Sequence, residues 1–369
     1  MAMGYSSPNP PVACTITDLN DNILSSAYTQ KIGHYHAEKE AYKYLGDSFT
    51  LPHNVYVTLE PCSHFGKTPP CVDLILSKKP KKVYIGYLDP NPLVKKRDSI
   101  RILRENGIEV EINESIKNVS FDFLSGFINK IQHRTPIFFL KSAISKFGFY
   151  TDNNQKNIQF SNRESNNITQ FVRQSVDAIL VGPATTFIDS PSLNFRGLET
   201  IKYQKISPKD IYFQSLINII KNETLVNKIN LRNNQPYRVF FISEKYFPKE
   251  IFFEKQSQLD ISKTLFILMD NLSDKLMNIL MKFSKSTIYT FENLDKALND
   301  LDLNFIMVEG GNLLYEYFFK KFKKEDKIIE IESMNPLRSG KKPYYLDQTN
   351  LFLKDEFIVD SDIWRLKGI

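Results

Sequence analysis

Thr58-Leu59-Glu60-Pro61-Cys62-Ser63-His64-Phe65-Gly66-Lys67-Thr68-Pro69-Pro70-Cys71, read together with His36-Ala37-Glu38 upstream, decides how this chain folds and what chemistry it carries. His36–Leu45 reads as a helix, because Ala37, Ala41 and Leu45 recur at four-residue spacing. Asn54–Leu59 reads as a strand, with Val55, Val57 and Leu59 alternating. Cys71–Ser77 restarts as a helix. The order is therefore His-x-Glu at a helix start, a strand, Pro61-Cys62, a loop, and Cys71 at a second helix start. A catalytic zinc takes three nitrogen or sulfur ligands and keeps one position open. His36, Cys62 and Cys71 supply such a set, and helix N-termini favour thiolates. Glu38 lies two residues past His36, close to the metal without binding it. It is placed to take a proton from the attacking water and return it to a leaving amine. This arrangement is already known from zinc-dependent deaminases, so it is matched here and not deduced afresh. Alone, His-x-Glu or a pair of cysteines is a weak signal, and the order of elements makes it specific. A purely structural zinc would want a fourth ligand and would leave Glu38 without a task.

Eight residues separate Cys62 from Cys71, where most zinc deaminases have a Cys-x-x-Cys gap. The longer loop can reach substrate, and its His64, Lys67 and Thr68 are donors suited to phosphate or a polar heterocycle.

Working outward, Cys14–Thr17 and Ile23–Ala27 form a hairpin around Leu19-Asn20-Asp21-Asn22. Lys82–Tyr87 and Ile108–Ile112 are further strands, and Ser99–Asn106 is a helix with Gly107 just past its end. Alternating strands and helices imply a layered α/β domain with a mixed sheet. Residues 119–136 read as a helical connector between a first domain, 1–118, and a second, 137–369. The second repeats the β/α alternation, with strands at Ile137–Lys141, Ala178–Gly182, Arg238–Ser243, Thr264–Leu268 and Phe305–Glu309. A helix follows Ser161, with Glu164 completing a capping box, and Leu313–Lys321 is another. The Asn-, Lys- and Ile-rich stretch 197–236 reads as a surface excursion. Cys14 reads as a buried strand residue, and His34, His53 and His133 as surface or loop residues.

The chain has 369 residues, 42% of them hydrophobic and 24% charged, which suits two globular cores and excludes disorder. Net charge is +6, a mild excess compatible with anionic substrates. The lysines near 78–82, 95–97 and 320–324 read as solvated faces and not as a nucleic-acid groove. Three cysteines argue for a reducing compartment and against a disulfide framework. The first residues lack the pattern of a signal peptide, and no run reaches the ~18 apolar residues of a membrane span. A cytoplasmic protein with small-molecule partners, no nucleic acid and no membrane is expected, working as a homo-oligomer, a dimer or tetramer.

Thr58–Cys71, with Ser6-Ser7-Pro8-Asn9-Pro10 and Asp89-Pro90-Asn91-Pro92, resembles the signature of the bifunctional riboflavin biosynthesis family, a pyrimidine deaminase fused to a pyrimidine reductase. The likeness runs over nearly the whole chain. It implies a cytidine-deaminase-like α/β/α domain followed by a dihydrofolate-reductase-like domain. It also implies Zn2+-dependent deamination of 2,5-diamino-6-ribosylamino-4(3H)-pyrimidinone 5′-phosphate, then reduction of the ribosyl group to ribityl with NADPH. Carried over residue by residue, Asn9, His64 and Lys67 would face the deaminase substrate. In the second domain, Arg173, Leu193, Arg196 and Glu309 match substrate positions. Lys141, Thr185 and Asp189 match cofactor positions, and Gly310-Gly311 lets bare backbone approach a cofactor phosphate. Arg173 and Arg196 suit a 5′-phosphate.

Some features depart from the family. Ser145-Lys146-Phe147-Gly148 lacks the usual aspartate, Asn157-Ile158-Gln159-Phe160 lacks a tryptophan, and Ser190 replaces a second acid. Phe147 or Phe160 is expected to stand in as the apolar wall. The segment ahead of Pro8 is also short, which is expected to loosen the first domain slightly. Three other readings compete: a working deaminase with a degenerate second domain kept for stability or oligomerisation, a deaminase of nucleic-acid bases, and a non-enzymatic zinc-stapled binding protein. The second predicts Cys-x-x-Cys and a basic, aromatic groove, neither of which the sequence contains.

Overall fold

Alternation of apolar and polar residues builds the first sheet from β1 (Ala13–Thr17), β2 (Ile23–Tyr28), β3 (Asn54–Leu59), β4 (Lys82–Tyr87) and β5 (Glu109–Ile112), in the order β2-β1-β3-β4-β5. β1 runs antiparallel to β2 and β3, while β3, β4 and β5 are parallel. The ladder sets Val55 beside Val83 and Val57 beside Ile85. These four side chains are fully buried with Ala37 and Ala41 of helix α1 (Ala37–Leu45). Burying a valine or isoleucine contributes roughly 1.5–3 kcal/mol, so the pairing fixes register as well as stability. Helices α2 (Cys71–Lys78) and α3 (Ser99–Glu105) complete the crossovers.

The computed structural model describes residues 1–65, 69–92, 98–152, 158–201, 206–283 and 287–369. The chain divides into two units, Met1–Pro136 and Ile137–Ile369. The segment read as a connector is most of helix α4 (Glu114–His133), which packs on β4 and places Leu124, Phe127 and Ile128 in the first core. A Cβ on Gly86 of β4 would meet Ile116 Cγ2 at 2.8 Å, so the helix lies directly on the sheet. The N-terminal segment is fastened, not loosened: Ala2 and Met3 are buried, and Lys130 Nζ donates to Pro8 O at 3.1 Å. His53 is likewise no surface residue. It is fully buried, with Nε2 2.9 Å from Tyr42 Oη and Nδ1 2.7 Å from Leu51 O.

The second unit holds a nine-stranded sheet in the order β10-β9-β8-β7-β11-β6-β12-β14-β13. Its strands are β6 (Ile137–Ser145), β7 (Ala178–Val181), β8 (Tyr237–Ile242), β9 (Thr264–Leu268), β10 (Thr287–Thr290), β11 (Phe305–Glu309), β12 (Lys327–Ser333), β13 (Phe352–Val359) and β14 (Asp362–Gly368). From β10 to β12 every neighbour is parallel, and β14 and β13 close the edge as an antiparallel hairpin. Central parallel strands are covered on both faces, which is why β7 is buried at every residue. Helix α5 (Arg163–Ser175) is capped by Asn162, whose side chain accepts from Ser165 N at 2.8 Å; Ser161 is not the cap. Helix α6 (Pro183–Asp189) follows β7. The expected surface excursion contains helices α7 (Ile211–Ile220) and α8 (Glu223–Arg232), and α7 buries Tyr212, Phe213, Leu216, Ile217 and Ile220. Phe213 meets the lone tryptophan, Trp364, at 5.8 Å between rings. Helix α9 (Asn312–Phe319) follows β11. Among the described residues, no helix is long and apolar enough to cross a membrane.

Candidate metal-dependent active site

Parallel strands gather their C-terminal ends on one edge, where ligands of α/β sheets bind. In the first unit that edge carries Glu60-Pro61-Cys62 after β3 and Asp89-Pro90-Asn91 after β4. His36 is the N-cap of α1 but its side chain makes no capping hydrogen bond, which leaves the imidazole to other partners. Its Nδ1 lies 3.5 Å from Cys62 Sγ and 3.4 Å from Cys71 Sγ. Cys71 opens α2, and its backbone N–H donates to Cys62 Sγ at 3.3 Å. All three ligand atoms lie within 4.8 Å of one another.

Protonation describes the same cluster. Hydrogen bonds from Cys71 and then His36 push the Cys62 thiol down to about 4. The hydrogen bond to Cys62 raises His36, and the Cys71 thiol is raised, first by Cys62 and then by burial. Three donors competing for few protons in a half-buried spot match a divalent cation, which would replace those protons. Tetrahedral zinc with bonds of about 2.0–2.3 Å places its ligand atoms about 3.5 Å apart, close to the distances observed. The residues thus fit zinc. Glu38 is 3% exposed, and burial, then the charge of Cys62, raises its carboxyl above the ordinary range.

Asn9, His36, Glu38, Cys62 and His64 line one cavity of about 270 Å³. His64 Nδ1 is buried and has no hydrogen-bond partner among the described residues, an atom left for a ligand. Lys67 lies outside the described residues. Glu60, Asp89 and Asn91 also line the cavity, and the sequence reading gave them no role. Their signal was the acidic and amide residues standing at strand ends. Burial pushes the Asp89 carboxyl up to about 6, although it accepts from Asn91 N at 2.8 Å.

In the second unit, β11 and β6 are in register, so Glu309 stands beside Lys141. Arg173 from α5 grips Glu309 with both forks: Nε to Oε1 at 2.6 Å and Nη2 to Oε2 at 2.5 Å. Burial would raise the Glu309 carboxyl, but Arg173 outweighs it and holds it below the ordinary range. Burial pushes the Lys141 ammonium down, opposed by Glu309. Arg196 is exposed, and its backbone N–H is held by Gln170 Oε1 at 3.1 Å. Leu193 is buried, 2% exposed, with its backbone at a φ of 51°.

Thr185, Asp189 and Gly311 line a second cavity of about 90 Å³. The Asp189 carboxyl there is pushed up to about 6 by burial. Gly310 is adjacent: φ is 89°, and a Cβ would come 2.9 Å from Thr185 Oγ1, so only glycine keeps this approach open. Lys141 stands with the charged group and not on this wall. The expected stand-ins for tryptophan, Phe147 and Phe160, do not line this small cavity, whose larger side chains are Tyr150, Ile158 and Ile188. Phe147 is 39% exposed, with Arg338 Cζ 5.0 Å from its ring. Tyr150, Thr151 and Lys341 are lining residues that the sequence did not single out.

Residues 1–87 match the family described as the cytidine and deoxycytidylate deaminase zinc-binding region. The riboflavin biosynthesis protein RibD of Actinobacillus pleuropneumoniae is 36% identical over 195 residues, 53% of this chain and only 50% of that protein. RibD of Buchnera aphidicola subsp. Baizongia pistaciae is 30% identical over 319 residues, 85% of this chain and 78% of that protein. Among solved structures, a diaminohydroxyphosphoribosylaminopyrimidine deaminase/5-amino-6-(5-phosphoribosylamino)uracil reductase from Thermotoga maritima shares the fold, with a TM-score of 0.72 at 21% identity over 100% of this chain and 94% of that one. With the Buchnera protein matched at that identity over 85% of this chain, the chain belongs to the RibD family of riboflavin biosynthesis proteins.

Proposed function

We propose that the first unit deaminates 2,5-diamino-6-ribosylamino-4(3H)-pyrimidinone 5′-phosphate and that the second reduces the ribosyl group of the product with NADPH. The observation that carries the first half is the convergence of His36, Cys62 and Cys71 beside the buried carboxyl of Glu38, in a cavity shared with Asn9 and His64. Zinc, when bound, makes water nucleophilic near neutral pH. Glu38 does the proton work. Its carboxylate accepts a proton as water adds to the ring carbon bearing the amine, and passes it to the departing nitrogen, which leaves as ammonia. A carboxyl raised by burial suits that shuttle, because its proton affinity moves toward the working pH. Asn9 and His64 hold the heterocycle against rotation, and the walls exclude bulk water.

For the second half, NADPH supplies the hydride when bound, and the chain's residues align the partners. Thr185, Asp189, Gly310 and Gly311 form the cofactor cradle. Arg173 is held by Glu309, so the exposed Arg196 is the cation that reaches the 5′-phosphate. Arg196→Ala should therefore raise the KM for reduction at least about tenfold, the scale of a lost charged hydrogen bond. Ammonia release should stay nearly unchanged, because Arg196 lies in the second unit and is exposed. Equal loss of both activities would point to one composite site or to unfolding.

Purified protein incubated with the diaminopyrimidine phosphate, with and without NADPH, tests the whole proposal by product mass. Ribityl product, heavier than the deaminated ribosyl compound by two hydrogens, is expected only with NADPH. The departures at Ser145-Lys146-Phe147-Gly148 and Ser190 motivate a second reading, a retained but inactive reductase. Deaminated product without NADPH oxidation, together with no NADPH binding by calorimetry, would establish that reading. Thiolate ligands require a reducing compartment, which supports a cytoplasmic setting. A dimer or tetramer is part of the proposal, and sedimentation analysis checks it.

A further inference from the structure

Glu60 lines the first cavity next to the metal-bearing turn, yet both of its carboxylate oxygens are occupied by protein donors. Oε2 accepts from the backbone N–H of Asp89 at 3.1 Å, and Oε1 accepts from Ser99 Oγ at 2.5 Å. Ser99 is the first residue of α3 and is fully buried. The Glu60 backbone N–H in turn donates to Tyr87 O at 2.8 Å, extending the β3–β4 ladder by one step. One side chain thus ties three things together: the strand end that leads through Pro61 to Cys62, the turn that carries Asp89 and Asn91, and the start of α3. Pro90 and Pro92 have no N–H to anchor this turn, so the Asp89 amide is a main attachment point.

We propose that Glu60 is a positioning residue that sets the distance between the metal-bearing turn and the Asp89–Asn91 wall of the cavity, acting by shape and acceptor geometry and not as a proton carrier. The inference rests on the deaminase reading of the first unit. Each Glu60 oxygen is held by a protein donor that fixes where the carboxylate sits, and this fixed placement is the role that separates Glu60 from Glu38. Glutamine has the same shape: its Oε1 accepts the Asp89 N–H, and its Nε2 donates to Ser99 Oγ, which can accept. Alanine removes both ties.

The experiment compares zinc-loaded wild type, Glu60→Ala, Glu60→Gln and Ser99→Ala in ammonia release, metal content and amide hydrogen exchange of 88–92. In Glu60→Ala, KM should rise about tenfold or more, the scale of a lost charged hydrogen bond. Zinc should stay at the wild-type level, and exchange in 88–92 should quicken. Glu60→Gln should restore KM to within about threefold and exchange to the wild-type rate. Ser99→Ala should raise KM in the same direction by less. A fall in kcat for Glu60→Gln like that of Glu38→Gln would overturn the inference, as would zinc loss in Glu60→Ala or an unchanged KM. If Glu60→Ala does not fold, Ser99→Ala decides, and an unchanged KM there overturns it. No ammonia release from the zinc-loaded wild type would instead bring down the deaminase reading, and this inference with it.

Discussion

Cys71→Ser and Cys62→Ser are each expected to yield folded protein that holds no zinc and releases no measurable ammonia. The three ligand atoms lie within 4.8 Å of one another and come from three different parts of the chain, so each thiolate is one of only three protein ligands. A serine hydroxyl at neutral pH is uncharged and hard, a poor substitute for a thiolate. Cys62 Sγ also accepts the Cys71 N–H at 3.3 Å, and the shorter C–O bond of serine would pull that acceptor back. Cys14→Ala is the control. Cys14 is fully buried in β1, so the variant should lose some stability and keep its metal. Metal analysis by mass spectrometry checks all three, and full zinc in either serine variant would remove that cysteine from the ligand set.

Glu38→Gln is expected to keep its zinc while deamination falls by at least about 10²-fold, the usual cost of losing a general acid–base. Glu38 is the second residue of α1, buried beside the cluster, and its amide analogue fills the same space. What disappears is the ability to carry a proton from the water to the amine. The variant's KM should change little, because shape and hydrogen-bonding capacity at the wall persist. Steady-state ammonia release with parallel metal analysis checks this. A wild-type rate would give the proton work to another group, and loss of zinc would make Glu38 part of the metal scaffold.

Other features were hidden from the sequence for identifiable reasons. His53 had no motif around it, and its burial follows from Tyr42 four residues after Glu38 on the same helix, which reaches across to it. Helices α7 and α8 were masked by a polar composition, although Tyr212, Phe213, Leu216, Ile217 and Ile220 carry a helical apolar face. Strands β12 to β14 alternate charged and apolar residues, yet Glu330 is 1% exposed because Lys367 Nζ pairs with it at 2.8 Å. A charge that would argue for a surface strand is here neutralised inside the sheet. The cations of Lys146 and Arg338 lie over the exposed ring of Phe147, at 5.2 Å and 5.0 Å, and the second of these neighbours comes from far along the chain.

By itself the sequence determined most elements of the first unit and the candidate metal set, since helix and strand periods are short-range properties and the His36, Cys62 and Cys71 pattern sits on three consecutive elements. Only the tertiary structure decided which distant groups meet: Arg173 with Glu309, Glu60 with Asp89 and Ser99, and Thr185 with Gly310. Those meetings depend on strand order and register, which parallel crossovers set through packing between residues far apart in the chain, and no local periodicity encodes that order.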